Sequence, residues 1–158
     1  MSIALVILAA GKGTRMQSDL PKVLHKIASA PMLVHAMMAG DSLDPERCII
    51  IAGHGADAVA AVAQNHNSDT EIIIQSEQLG TGHAVKQART ALAGFTGNVI
   101  VLYGDTPLIQ AKTLVTLSES ISDSAICVLG FEARDPGRYG RLITDDDNLK
   151  RIVEFKDA

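Results

Sequence analysis

Lys12, Arg15 and Lys22 fall within one short stretch, Leu8-Ala-Ala-Gly-Lys-Gly-Thr-Arg-Met-Gln-Ser-Asp-Leu-Pro-Lys22, which directly follows the apolar run Ile3 to Leu8. Its small residues Ala9, Ala10, Gly11 and Gly13 let the main chain approach a ligand closely, and successive free N–H groups can cradle phosphate oxygens. The cations add charge where a polyphosphate would lie. A bare turn has no use for so many of them.

A second chemical position is Asp105, in Tyr103-Gly-Asp-Thr-Pro-Leu-Ile109. A carboxylate just beyond an apolar strand, between Gly104 and Pro107, sits on rigid backbone. Mg²⁺ carried by a nucleotide takes only one or two protein carboxylates and fills its octahedron with phosphates and waters. Asp105 suits that ligand role, and capping the turn before the next helix is its other use. The third stretch is Gln75-Ser-Glu-Gln-Leu-Gly-Thr-Gly-His83. The Gln75 side chain offers a donor and an acceptor, so it can read a pyrimidine edge. Gly80 and Gly82 could let a planar base lie against the backbone, and Thr81 suits a helix N-cap as well as a ligand contact. His83 could act as a base, but a single histidine in a first helical turn carries no assigned role. His25, His35, His54 and His66 lack a partner pattern, and no metal-ligand spacing joins the histidines and cysteines.

These stretches require strands that end at them. Apolar runs rich in Val and Ile predict strands over Ile3–Leu8, Cys48–Ala52, Glu71–Gln75, Asn98–Tyr103 and Ala125–Phe131. Helical periodicity predicts helices over Pro31–Ser42, Ala56–Asn65, Thr81–Ala93 and Ala111–Ser120. Such alternation implies right-handed βαβ units: an α/β fold with a mostly parallel sheet and helices on both faces. Ligands bind such sheets at the carboxyl ends of strands, which is where all three stretches lie. The turn Gly53-His-Gly55 follows a strand too, but carries little charge. Beyond Asp135 the pattern changes to a C-terminal hairpin, Gly140–Thr144 and Leu149–Phe155, with the acidic run Asp145–Asp147 as a solvated turn.

Composition narrows the function. With 47% apolar but only 3% aromatic residues in 158, Ala, Val, Ile and Leu must build the core. A net charge of −4 gives no general attraction to nucleic acid or to an anionic membrane. Cys48 and Cys127 lie in apolar runs and read as small buried hydrophobes of a reduced, cytoplasmic protein. No segment approaches the length of a membrane span.

Two phosphate motifs fail. A P-loop needs glycine five positions before Gly11-Lys12, where Val6 stands, and the dinucleotide fingerprint needs a small residue three after Gly13, where Met16 stands. What remains, Leu-Ala-Ala-Gly-x-Gly-Thr-Arg-Met followed by Pro-Lys, resembles the signature of the sugar-nucleotide pyrophosphorylases, whose fold is a Rossmann-like nucleotidyltransferase domain. With Pro21-Lys-Val-Leu-His25, Gln75 to His83, Tyr103 to Ile109, Tyr139-Gly-Arg141 and Ile152 to Ala158, in that order, the whole chain resembles the bacterial bifunctional N-acetylglucosamine-1-phosphate uridyltransferase/acetyltransferase family.

The resemblance implies transfer of UMP from UTP to N-acetylglucosamine 1-phosphate, giving UDP-N-acetylglucosamine and pyrophosphate for cell-wall precursors, with Mg²⁺. It implies nucleotide contacts from Leu8, Ala9, Ala10, Gly11, Gly13, Thr14 and Lys22. Gln75, Gly80 and Thr81 would meet the uridine end, and Tyr103, Gly104 and Asp105 the sugar nucleotide and its metal. Gly140 and Glu154 would bind the sugar, while Arg15, Lys22 and Asp105 would serve catalysis. It further implies a single nucleotidyltransferase domain over 1–158 that stops short of its relatives. Those continue with asparagines that complete the metal site and a left-handed β-helix acetyltransferase domain that drives trimer formation. No hexapeptide repeat is visible here. The alternatives are transfer of another base, by a cytidylyl- or guanylyltransferase, and a non-catalytic nucleotide-sugar-binding module.

Overall fold

A computed structural model describes residues 1–11, 13, 16–121, 124–146 and 148–157. They fall into two compact units, Met1–Ser120 and Ile121–Ala158.

The first unit runs β1 (Ile3–Ala9), β2 (Lys26–Ile27), β3 (Ala30–Pro31), α1 (Met32–Asp41), β4 (Arg47–Ala52), α2 (Ala56–His66), β5 (Glu71–Ile74), α3 (Thr81–Gln87), β6 (Asn98–Tyr103) and α4 (Ala111–Glu119). Four strands form one parallel sheet in the order β5-β4-β1-β6. The chain steps outward from β1 through β4 to β5, then returns to the other side of β1 for β6. That reversal puts a crevice between the carboxyl ends of β1 and β6, where open α/β sheets take their ligands.

Strands β1 and β4 are apolar almost throughout because both of their faces are covered, as parallel sheets require. On one face Leu5, Ile7, Ile50 and Ala52 pack with Leu33 and Met37 of α1, Val59 and Ala63 of α2 and Leu114 of α4. On the other, Val6, Ile49 and Ile51 pack with Ala84 of α3 and Ala88 beyond it. Helices therefore cover both faces. Strand β6 alternates instead, burying Ile100 and Leu102 while Val99, Val101 and Tyr103 are exposed.

Two expectations are corrected and one element is added. The third helix is regular only over Thr81–Gln87. Beyond it the chain tightens into turns closed by bonds such as Ala88 N–H to Val85 O and Arg89 N–H to Lys86 O, yet Ala88 keeps its place in the core. A two-residue ladder pairs β2 with β3, too short for any period to announce. Ala125–Phe131 is not a strand. Its β-branched composition supplies propensity, but a strand also needs a partner's backbone, and Ile126 and Phe131 are exposed. Cys127 accordingly lies outside any strand, whereas Cys48 is buried in β4, and both are free. Burial pushes the Cys48 thiol up from its ordinary range, keeping it protonated and inert.

In the second unit β7 (Arg141–Asp145) and β8 (Asn148–Val153) form the expected antiparallel hairpin. Asp146 takes a left-handed φ of 50° in the turn, and Asp145 pairs with Lys150 at 3.3 Å, both exposed. Asp147 lies outside the described residues. Phe131 and Tyr139 meet edge to face, with ring centroids 5.1 Å apart.

Adjacent methionines on α1 test this packing, because Met37 is fully buried and Met38 is 56% exposed. Met37→Ala should cost about 2–5 kcal/mol of unfolding free energy. Met38→Ala should stay within about 0.5 kcal/mol. Urea denaturation of the two variants beside the unaltered chain measures both.

Candidate active site

The crevice predicted by the strand order is a cleft of about 330 Å³, in the range of small-molecule sites. Its walls come from three strand exits. Leu8, Ala10 and Gly11 follow β1, Gln75, Gln78, Gly80 and Thr81 follow β5, and Tyr103 and Asp105 follow β6, with Lys22 and Val23 beside them.

The β1 and β6 exits are held close by backbone. Leu8 pairs with Tyr103 in the ladder, and the Gly104 N–H extends it by donating to Leu8 O at 2.9 Å. A Cβ on Gly104 would come within 3.2 Å of Leu8 O and of Val23 Cγ1, tighter than such contacts normally run. Glycine therefore allows the two exits to approach. Asp105 follows in a turn secured by Thr106, whose hydroxyl donates to Tyr103 O at 2.8 Å.

Lys22 is positioned by its neighbours. It opens a short 3-10 turn whose next two residues, Val23 and Leu24, are buried in the core. Gly13, with φ +58°, passes so close that a Cβ there would lie 2.7 Å from Lys22 Cβ. From this anchor the Lys22 ammonium reaches Asp105, with Nζ 2.6 Å from Oδ2. The two are 83 residues apart in sequence. Their side chains are 40% and 31% exposed, so the pair opens to the cleft and does little for stability.

The β5 exit is tied across the cleft floor. The Gln75 N–H donates to Ala52 O at 2.7 Å, and the buried Gln75 side chain places Nε2 2.9 Å from His83 Nδ1. Gln78 Nε2 donates to Ala10 O at 2.7 Å, joining this exit to the first loop. Gly80, at φ 95° and ψ 179°, is itself the N-cap of α3, in a region open essentially to glycine alone. Thr81 is thus the first residue of the helix and not its cap, and it is exposed at the cleft.

Lys22, Asp105, Tyr103, Gln75, Gly80, Thr81, Leu8, Ala10 and Gly11 therefore converge on one cleft. Gly104 and Gly13 shape it from behind. Ala9 turns its methyl into the core. Thr14 and Arg15, with Lys12, lie outside the described residues. Gly140 and Glu154 belong to the second unit, immediately before β7 and immediately after β8. Sequence reasoning passed over Gln78 and gave His83 no role. Their one signal was position: both lie in the loop between Gln75 and the end of the first turn of α3.

One carboxylate suits a cation that arrives with its own phosphate ligands. The Lys22 ammonium resting on Asp105 marks the same point as attractive to positive charge. Among the described residues no three His, Cys, Asp or Glu side chains gather into a metal cage that could hold an ion unaided. Among them, too, no helix is long and apolar enough to cross a membrane.

Comparison with known proteins agrees with this geometry. Residues 5–143 match the family model described as MobA-like NTP transferase domain. The chain is 61% identical over 158 residues to "Bifunctional protein GlmU" of Ruegeria sp. (strain TM1040), covering all of this chain and 35% of that protein. The Ruegeria pomeroyi protein of the same name matches at 61% over the same shares. The chain thus spans about a third of the length of these curated relatives. Among solved structures, HddC from Yersinia pseudotuberculosis superposes with a TM-score of 0.77 at 34% identity, over 98% of this chain and 69% of that one. HddC has also been solved in complex with GMP-PN. A cleft at the β1/β6 reversal and a family match across most of its length lead to the same conclusion: this chain belongs to the MobA-like NTP transferase family and has a nucleotidyltransferase fold.

Proposed function

We propose that the chain's cleft transfers UMP from UTP to N-acetylglucosamine 1-phosphate, releasing pyrophosphate and forming UDP-N-acetylglucosamine, a precursor for the cell wall. The observation that carries this reading is the Lys22–Asp105 contact at the reversal of strand order, 2.6 Å long and open to the cleft. It joins a phosphate-type loop to a metal-type carboxylate on the strand beside it.

The chemistry needs little from the protein beyond positioning and charge. A sugar 1-phosphate is already anionic, so one of its oxygens can attack the α-phosphorus of UTP without a strong base. A new P–O bond forms there, the bond from the α-phosphorus to the bridging oxygen breaks, and pyrophosphate leaves with that electron pair. Backbone N–H groups of Ala10, Gly11 and Gly13 are assigned to the triphosphate by their place in the loop, and Lys22 neutralises charge gathering on the departing phosphates. Arg15 and Thr14 are assigned to the same phosphates by their place in the loop motif. Asp105 would hold the nucleotide's Mg²⁺, which would supply further charge neutralisation. Gln75, Gly80 and Thr81 take the uridine end, and Tyr103 and Gly104 the sugar nucleotide. Gly140 and Glu154 are assigned to the sugar by the family motif alone. Trimer formation and cytoplasmic location belong to the proposal for the longer relatives.

A guanosine nucleotide is the second reading, favoured by the HddC complex with GMP-PN. Pyrophosphate release with N-acetylglucosamine 1-phosphate, measured with UTP and GTP in turn, decides between them. Preference for UTP supports the proposal, preference for GTP replaces it, and nucleotide binding without pyrophosphate release points to a binding module.

Losing one electrostatic group of this kind costs about 10²–10³ in rate. Asp105→Ala and Lys22→Ala should each lower kcat by about that factor while the KM for the sugar phosphate moves less than about threefold. Steady-state pyrophosphate assays read both constants, and wild-type kcat in both variants would refute the assignment. Chelation by EDTA should abolish release, and added Mg²⁺ should restore it. Activity unchanged in EDTA would remove Asp105 from metal binding.

A further inference from the structure

His83 does not line the cleft, yet it contacts the one buried polar side chain that does. Gln75 is 5% exposed, and its Nε2 lies 2.9 Å from His83 Nδ1 and 3.5 Å from the Gly80 carbonyl. On the far side of the imidazole, Gln87 Nε2 lies 3.0 Å from His83 Nε2 and 3.3 Å from the His83 carbonyl. An amide nitrogen thus faces each ring nitrogen. Neutral imidazole has one donor and one acceptor, so one of the two amides must turn its oxygen inward.

Which one turns follows from burial. Turning Gln87 gives up its 3.3 Å bond to the His83 carbonyl, but Gln87 is only partly buried on α3, so water can screen the two oxygens and take the freed amide hydrogens. Turning Gln75 would set its oxygen against the Gly80 carbonyl in a buried place, where no solvent relieves the repulsion. The consistent arrangement has the His83 proton on Nε2, donated to the Gln87 oxygen. Nδ1 then accepts from Gln75, whose Nε2 hydrogens are both committed, to His83 and to Gly80. Among the described residues the Gln75 oxygen takes no hydrogen bond, and it is the end left for a ligand.

That orientation carries base information. A free glutamine amide cannot tell uracil from cytosine, since it can flip to match either edge. An amide locked with its oxygen outward accepts from the N3–H of uracil but meets the N3 lone pair of cytosine. We propose that His83 is a specificity-positioning residue: it locks Gln75 oxygen-outward and so selects a pyrimidine bearing an N3–H over cytosine. This rests on the reading of the cleft as a uridine nucleotide site, with Gln75 at the base.

Isothermal titration of the 158-residue chain in Mg²⁺ with UTP, CTP and inorganic tripolyphosphate tests it. The unaltered chain should favour UTP over CTP by about 10–100-fold, the size of one unsatisfied buried polar group. His83→Ala should bring that ratio to within about threefold, and His83→Asn, whose Oδ1 can still accept from Gln75, should recover part of it. Tripolyphosphate, which has no base, should bind all variants alike. A ratio kept in His83→Ala but lost in Gln75→Ala overturns the role of His83 and leaves the uridine site standing. No preference in the unaltered chain, or a ratio kept in Gln75→Ala, removes the uridine reading and this proposal with it. Loss of tripolyphosphate binding in both His83 variants marks a purely structural residue and overturns the proposal too.

Discussion

Parallel pairing of β1 with β6 brings two strand ends that are distant in sequence within a few ångströms of each other. Everything chemical in the first unit depends on that approach. The chain reverses its direction of growth across the sheet between β5 and β6, and a crevice opens at the carboxyl ends of β1 and β6. Gly104 lets the two exits close up against Val23 and Leu8 O, and Gly13 lets the first loop pass over Lys22. The ion pair of Lys22 with Asp105 is a consequence of this geometry, not its cause. Its partners are too solvated for the pair to hold the fold together.

The same arrangement explains a division of labour. Groups suited to phosphate and metal come from the central strand and its neighbour β6, whose ends are fixed by ladder hydrogen bonds. Groups suited to the base come from β5 on the other side, tied down by side-chain amides: Gln78 to Ala10 O, and Gln75 to His83 and Gly80. A triphosphate needs concentrated positive charge, which a loop can bring at some loss of precision. A base needs donors and acceptors held in one orientation, and the buried Gln75 amide is held between His83 and Gly80.

Much of this was legible in sequence. The four parallel strands were found to within one residue: β1 and β4, buried on both faces, read as continuous apolar runs, and β5 and β6 as short runs rich in Val and Ile. Gln75 and Asp105 stood out as polar groups placed at the ends of such runs, and Lys22 as a cation in the small-residue stretch that follows the first of them. That Lys22 reaches Asp105 was not legible, since no local pattern links residues so far apart. Ala125–Phe131 misled because propensity records what a residue can do in a ladder and not whether a partner is there. The shortening of α3 was hidden because Ala88 keeps helical spacing while the backbone tightens. His83 went unassigned because its contacts are with two neutral amides, which leave no charge pattern to notice.

The central claim, that a nucleotide's phosphates and divalent ion sit between the ends of β1 and β6, is tested most directly by paramagnetic broadening. Amide resonances of the UTP-saturated chain would be followed by NMR as Mn²⁺ is added in place of Mg²⁺. Broadening centred on Gly104 and Asp105, extending to Gly11 and Lys22, is the predicted result. Broadening centred elsewhere, at the exposed Asp41–His66 pair or at Asp145 in the hairpin, with Gly104 and Asp105 left sharp, would contradict it.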